Sequence, residues 1–274
     1  LGVSPSSASA RLAIRSADFH YRRIPGFVKS CFTTKKLEEF GESLAKAGKL
    51  HLAKGQELGV SDSLQLLESL HKEELTKFFG SRLYSIVQNT AGVTETDLDP
   101  EIKAVLDLQL SDFDAYIEIL AALRGKFHRQ YITECLDSLL MKNRTGALLA
   151  QGRTKGAPRR FVLDSRLLEV LLQLAVLKQD KPTDPFYTGE LRIEDLLTWL
   201  RERYGLHIDR LPRGDGFATS SIDDRAALRQ NASAFTARLR EVGFYRDLSD
   251  AYVSQTVTPR YRIEADAVGA GGEP

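Results

Sequence analysis

The sequence predicts a mainly α-helical protein, and three observations carry that prediction. Apolar residues recur at three- and four-residue intervals along most of the chain, the spacing that gathers them on one face of a helix. Strand-like runs rich in aromatic and β-branched residues are short and lie towards the C-terminus. Between the two regimes, residues 142–160 hold three glycines, one proline and a block of basic residues, the composition of a boundary. The reading is an N-terminal helical bundle or array over residues 1–141, with an irregular first segment, then a basic linker at 142–160. A winged helix-turn-helix with a small β-hairpin wing follows at 161–264, and a disordered tail at 265–274.

With 274 residues, 42% hydrophobic and 27% charged, the chain has enough apolar material for two cores of ordinary size. No apolar run reaches the roughly 18 residues that span a bilayer, and LGVSPSSASARLAIR lacks the continuous apolar stretch of a secretory signal. The expectation is a cytoplasmic protein with no membrane partner. Cys31 and Cys135 form neither a disulfide framework nor a C-x-x-C pair and read as ordinary thiols.

Net charge is only +1, yet the basic residues are unevenly placed. Residues 141–163 contain Lys142, Arg144, Arg153, Lys155, Arg159 and Arg160 with no acidic residue. Residues 11–36 contain Arg11, Arg15, Arg22, Arg23, Lys29, Lys35 and Lys36 against Asp18 alone. Such runs suit an anionic partner, and they equally suit a solvated face or linker.

In chain order, Pro25-Gly26 within ADFHYRRIPGFVKSCF predicts extended or irregular structure up to residue 33. Leu37, Phe40, Leu44 and Ala47 then share a helical face that Gly48 ends. Ser61 or Asp62 is placed to cap the series Leu64, Leu67, Leu70 or His71, Leu75 and Phe78, with Asp62 and Gln65 spaced as a capping box and Gly80 as the stop. SRLYSIVQNTAG predicts another helix. Asp97 to Pro100 opens EIKAVLDLQL, and Ser111 or Asp112 caps a long helix from Phe113 to Leu140, with an interruption near Gly125.

Beyond the boundary, Asp164 caps the apolar helix SRLLEVLLQLAVLKQ, which Pro182 and Pro185 stop. Leu191 to Ile193 is a short strand, and IEDLLTWLRERY a helix ended by Gly205. From Asp223, Leu228, Ala232, Phe235, Leu239 and Val242 form one apolar stripe; Asp223 or Asp224 caps its first turn and Gly243 takes the left-handed turn after it. FYRDL and YVSQTVTPRYRI follow as a hairpin turning at Ser249 and Asp250. Helix, strand, helix, helix, hairpin is winged-helix order. GLHIDRLPRGDGFATSSI departs from it, because a tight helix-turn-helix joins its last two helices with about three or four residues.

Opposite the stripe, Arg229, Gln230, Ser233, Ala237 and Arg240 would face outward. Arginine and glutamine can bond base edges with two hydrogen bonds, and small residues between them admit the helix to a groove. Arg246, Arg260 and Arg262 of the hairpin, with Arg153, Lys155, Arg159 and Arg160, are the candidates for phosphate contact. A solvated face of good helix formers would carry the same residues.

Catalytic patterns are sparse. His20, His51, His71, His128 and His207 stand apart from one another and from any cysteine pair, so no metal is expected. Neither a P-loop nor a G-x-S-x-G elbow is present, and VGAGGEP at the end has no helix after it to hold a phosphate. Asp112 with Asp114 and Glu194 with Asp195 sit at helix starts, where the dipole favours them without catalysis. No cofactor is implied.

The segments FYTGELRIEDLLTWLRERYGLHID and LRQNASAFTARLREVGFYRDLSDAYVSQTVTPRY, between residues 186 and 261, resemble the C-terminal winged-helix region of accessory proteins in bacterial phage-defence operons, including those of methylation-associated defence systems. That resemblance implies a bacterial subunit acting with larger ATPase, nuclease or methyltransferase partners, and carries over no catalytic residue. The combined reading is a non-catalytic subunit that binds double-stranded DNA. Two other readings stand beside it: a module that assembles with protein, and an enzyme whose site is built from residues distant in sequence.

Overall fold

The computed structural model describes residues 4, 6–49, 60–90, 99–214, 217, 220–245 and 256–264. In chain order the elements are α1 (Ala8–Arg22), α2 (Ile24–Lys46), α3 (Val60–Leu70), α4 (Lys72–Thr90), α5 (Pro100–Asp107), α6 (Asp112–Leu139), β1 (Leu149–Gln151), β2 (Arg159–Phe161), α7 (Ser165–Val176), β3 (Leu177–Lys178), β4 (Tyr187–Thr188), β5 (Leu191–Arg192), α8 (Ile193–Tyr204), α9 (Ile222–Glu241) and β6 (Thr256–Val257). The fold is mainly helical. Among the described residues, no helix is long and apolar enough to cross a membrane.

The chain divides into two compact units elsewhere than its composition suggested: residues 22–135 form one, and residues 1–21 with 136–274 form the other. The unit of residues 22–135 is helical throughout its described elements. Its core joins Leu37, Phe40 and Leu44 of α2, Leu67 of α3, Leu75 and Phe79 of α4, and Phe113, Tyr116, Ile117 and Leu120 of α6. Phe79 is its centre, fully buried, with ring centroids 4.7 Å from Phe113, 5.7 Å from Tyr116 and 5.8 Å from Phe40.

Several local expectations are corrected here. From Ala8 to residue 33 the chain is helical apart from a turn at Arg23, because Pro25 falls in the first turn of α2, where its missing N–H has no partner to lose. Gly80 does not end a helix: α4 runs through it, and the break lies at His71. A Cβ on Gly80 would stand 2.9 Å from Oδ2 of Asp112, so the glycine admits the start of α6 close to α4. Asp62 lies inside α3, not ahead of it. Gly125 leaves α6 unbroken. The caps are Asp99, which accepts from the Glu101 N–H at 2.8 Å and lies within the expected start at 97–100, and Ser111, the first of the two expected candidates, which accepts from the Asp114 N–H at 3.1 Å.

In the other unit, α7, α8 and α9 pack around Leu168, Leu172, Val176, Leu196, Leu200, Phe235 and Leu239. The expected basic linker is instead a hairpin: β1 and β2 pair antiparallel, with Leu149 opposite Phe161 and Gln151 opposite Arg159. Leu149 is fully buried, so the strand has an apolar reason to stay. The helix from Ser165 ends at Val176, before either proline, because Leu177 and Lys178 pair with Thr188 and Tyr187. Leu191 and Arg192 pair with Val257 and Thr256, and Tyr245 bridges to Val257 on the other side. The predicted turn at Ser249 and Asp250, and the tail at 265–274, lie outside the described residues. The long segment between α8 and α9 is tied in by Ile208 and Phe217, both buried.

Candidate nucleic-acid interface

The cap of α9 lies two residues ahead of the earliest one the sequence suggested. Ser221 accepts from the Asp224 N–H at 3.1 Å, and Asp224 returns the bond by accepting from the Ser221 N–H at 3.0 Å. Asp224 is buried, which opposes its ionisation; the Ser221 bonds and Arg15, 2.8 Å away on α1, outweigh that and hold its carboxyl below the usual range. At the other end Gly243, with φ of 78°, makes the left-handed turn that ends the helix.

Between these ends the two sides of α9 differ as the spacing required. Phe235 and Leu239 are buried at 1% and 0% exposure, with Leu228, Ala232 and Val242 partly covered. Arg229, Gln230, Ser233, Ala237 and Arg240 are all exposed. The guanidinium of Arg240 lies 5.0 Å from the centre of the Tyr245 ring. Gln230 is partly engaged: its Oε1 accepts from the Ser9 N–H at 3.1 Å, and Asn231 accepts from the Ser9 hydroxyl, so the start of α1 lies along this flank.

The remaining candidates separate. Arg153 and Lys155 are exposed between β1 and β2. Arg262 is exposed, and Arg260 is paired with Glu169 of α7 at 3.0 Å. Arg246 lies outside the described residues. Arg159 turns inward, donating Nε to Oδ1 and Nη2 to Oδ2 of Asp137, both at 2.8 Å, and stacking over Tyr21 at 4.7 Å. Arg160, beside it, lines a cavity.

Asp137, at the end of α6, is a centre that the sequence did not reveal, since its partners Tyr21, Lys142 and Arg159 are scattered along the chain. Burial disfavours its charge, but the hydrogen bonds from Arg159, Lys142 and Tyr21 prevail and lower its pKa to about 2. Burial, then the bond to this carboxylate, raises the Tyr21 hydroxyl above its ordinary value. The only available signal was the local density of basic residues after residue 141, which contains two of the three partners.

Among the described residues, no group of histidine, cysteine, aspartate or glutamate side chains is placed to hold a metal ion. A family model described as methylation-associated defense system protein MAD7 matches residues 2–261. The chain belongs to that family. The match spans both compact units, so the MAD7 family is defined by the helical unit as well as by the part containing α9. No curated protein and no solved structure matches the chain.

Proposed function

We propose that the unit containing α9 is a winged helix that binds double-stranded DNA, and that the chain serves a methylation-associated defence system as a non-catalytic, DNA-binding subunit. The observation that carries this reading is the division of α9: Phe235 and Leu239 are sealed in the core while Arg229, Ser233, Ala237 and Arg240 are exposed on the other side. Element order supports it. The helix α7, the strand β5, α8, α9 and the returning strand β6 follow one another as in winged helices, with Tyr245 and Val257 at the base of the wing. The extra length between α8 and α9 is accommodated by burying Ile208 and Phe217, so it does not disturb the packing of the two helices.

In this reading Arg229 and Arg240 reach base edges or adjacent phosphates, Ser233 and Ala237 permit close approach, and Arg262, Arg153 and Lys155 add backbone contacts. Gln230 contributes after exchanging its bond to Ser9, and Arg260 after exchanging Glu169. Arg159 serves the fold through Asp137. The test is fluorescence anisotropy with duplex DNA at increasing salt. Expected is an affinity that falls steeply with salt and drops about tenfold or more when Arg229 and Arg240 are both replaced by alanine. Salt-independent binding, or wild-type affinity in that double variant, overturns the reading.

A specific feature of the other unit favours protein assembly as a second role. Leu123, Phe127 and Tyr131 follow one another at four-residue intervals on α6 and are 41%, 71% and 60% exposed. Aligned apolar side chains in water are the mark of a partner surface. A larger defence-system subunit, an ATPase or nuclease, is the partner this reading assigns to it. Copurification with the neighbouring subunits that survives Phe127→Glu and Tyr131→Glu together would remove this role without touching the DNA-binding one.

A further inference from the structure

The unit formed by residues 1–21 and 136–274 contains a cavity of about 540 Å³. Protein interiors close at near-crystalline density, and a space of this size falls within the range that holds small organic ligands. Four separate segments wall it: α1 through Leu12 and Phe19, the β1–β2 hairpin through Phe161, the segment between α8 and α9 through Leu211, and α9 through Leu228. Leu12, Leu211 and Leu228 are only partly covered, so their apolar surface faces the space without filling it.

Its charged groups are of one sign: the described lining includes the guanidinium groups of Arg160 and Arg210 and no carboxylate. Arg210 is offset by Asp209 at 3.1 Å. Arg160 has no carboxylate partner among the described residues, although Arg159 beside it is held on two sides by Asp137. A partly covered guanidinium without a counter-charge, at the edge of an apolar space, favours an anion there. Aromatic rings are abundant in the same wall: His20 meets Phe161 edge-on at 5.9 Å, and Phe19 meets Phe217 edge-on at 5.7 Å.

We propose that this cavity binds an aromatic small molecule carrying a negative charge, its ring among Phe19, Phe161 and Leu228 and its anionic group on Arg160. Because Leu228 and Asn231 of α9 are part of the wall, an occupant links α1 and the α8–α9 segment to the helix assigned to DNA. The assignment stands independently of DNA binding.

The test uses the full chain and two probes, 8-anilinonaphthalene-1-sulfonate and its uncharged relative N-phenyl-1-naphthylamine, followed by fluorescence. Expected is saturable one-to-one binding of both. Arg160→Gln should weaken the sulfonate by about tenfold, the value of one charge-assisted hydrogen bond, and leave the uncharged probe unchanged. Ala13→Trp, which fills the cavity from α1, should abolish both while circular dichroism stays native; if that variant unfolds, Leu12→Phe provides the same test with a smaller insertion. Tyr84→Glu, at an exposed position of α4 in the other unit, should change neither. Non-saturable binding, equal sulfonate affinity in the Arg160 variant, or loss of binding in the Tyr84 variant overturns the assignment.

Discussion

Arg159 and Asp137 meet in parallel, Nε to Oδ1 and Nη2 to Oδ2, each at 2.8 Å. This is the fork-to-fork geometry in which arginine binds a carboxylate most strongly. Lys142 and the Tyr21 hydroxyl share the same carboxylate, which is 7% exposed. One buried charge thus fastens the end of α1, the end of α6 and the strand β2.

Replacing that charge leaves two cations partly buried without a partner, a larger cost than the pair's own net value. Asp137→Asn should destabilise its unit by roughly 3 kcal/mol, at the low end for a broken buried pair because Arg159 and Lys142 keep some solvent. Urea unfolding followed by the fluorescence of Trp199, whose ring packs 5.1 Å from Tyr204 in the same unit, measures it. An unchanged midpoint would mean the cluster contributes no stability.

The same carboxylate sets an acid dependence. Its pKa in the fold is about 2, below its ordinary 3.8, so the folded state holds fewer protons there than the unfolded chain. The stabilisation is therefore present in full above the ordinary value and is lost as pH falls from about 4 towards 2. Asp224, whose pKa is also depressed, titrates in the same direction. Subtracting the Asp137→Asn profile from the wild-type one isolates the Asp137 contribution: the difference should shrink below pH 4, and a flat difference would refute it.

Two glycines should respond to alanine with opposite signs. Gly243 has φ of 78°, where a Cβ costs about 1–2 kcal/mol, so Gly243→Ala should destabilise. Gly125 lies inside α6 with nothing within 4 Å of a built Cβ, so Gly125→Ala should stabilise by about 0.8 kcal/mol through helix propensity. Chemical denaturation of both variants provides the comparison, and equal signs would contradict the conformations described.

If the β1–β2 hairpin touches the DNA backbone, its contribution carries no sequence information. Arg153→Ala with Lys155→Ala should weaken all duplexes alike and reduce the salt slope by about 1 for each phosphate that the hairpin no longer neutralises. Binding isotherms on two unrelated duplexes at several salt concentrations test this; a weakening confined to one sequence would assign the hairpin a different role.

Much of the helical framework was legible because periodicity reports burial directly. The spacing of Leu228, Phe235 and Leu239 implied which side of α9 faces inward, Gly243 its end, and Asp97 to Pro100, Ser111 or Asp112, and Asp164 the starts of three others. Gly80 and Gly125 misled for one reason. A glycine inside a helix looks the same in sequence whether it ends the helix, admits a neighbour such as Asp112, or does neither.

By itself, then, the sequence determined the helical class, the inward stripe of α9 and the outward placement of Arg229, Ser233 and Arg240, since these depend on neighbours within one or two turns. Tertiary structure alone decided the fate of the basic block. Arg159, Arg160 and Arg153 are equivalent as letters, yet one is held by Asp137, one lines the cavity and one is exposed. Which of these a cation becomes depends on carboxylates and apolar walls brought from far along the chain, and local spacing carries no record of them.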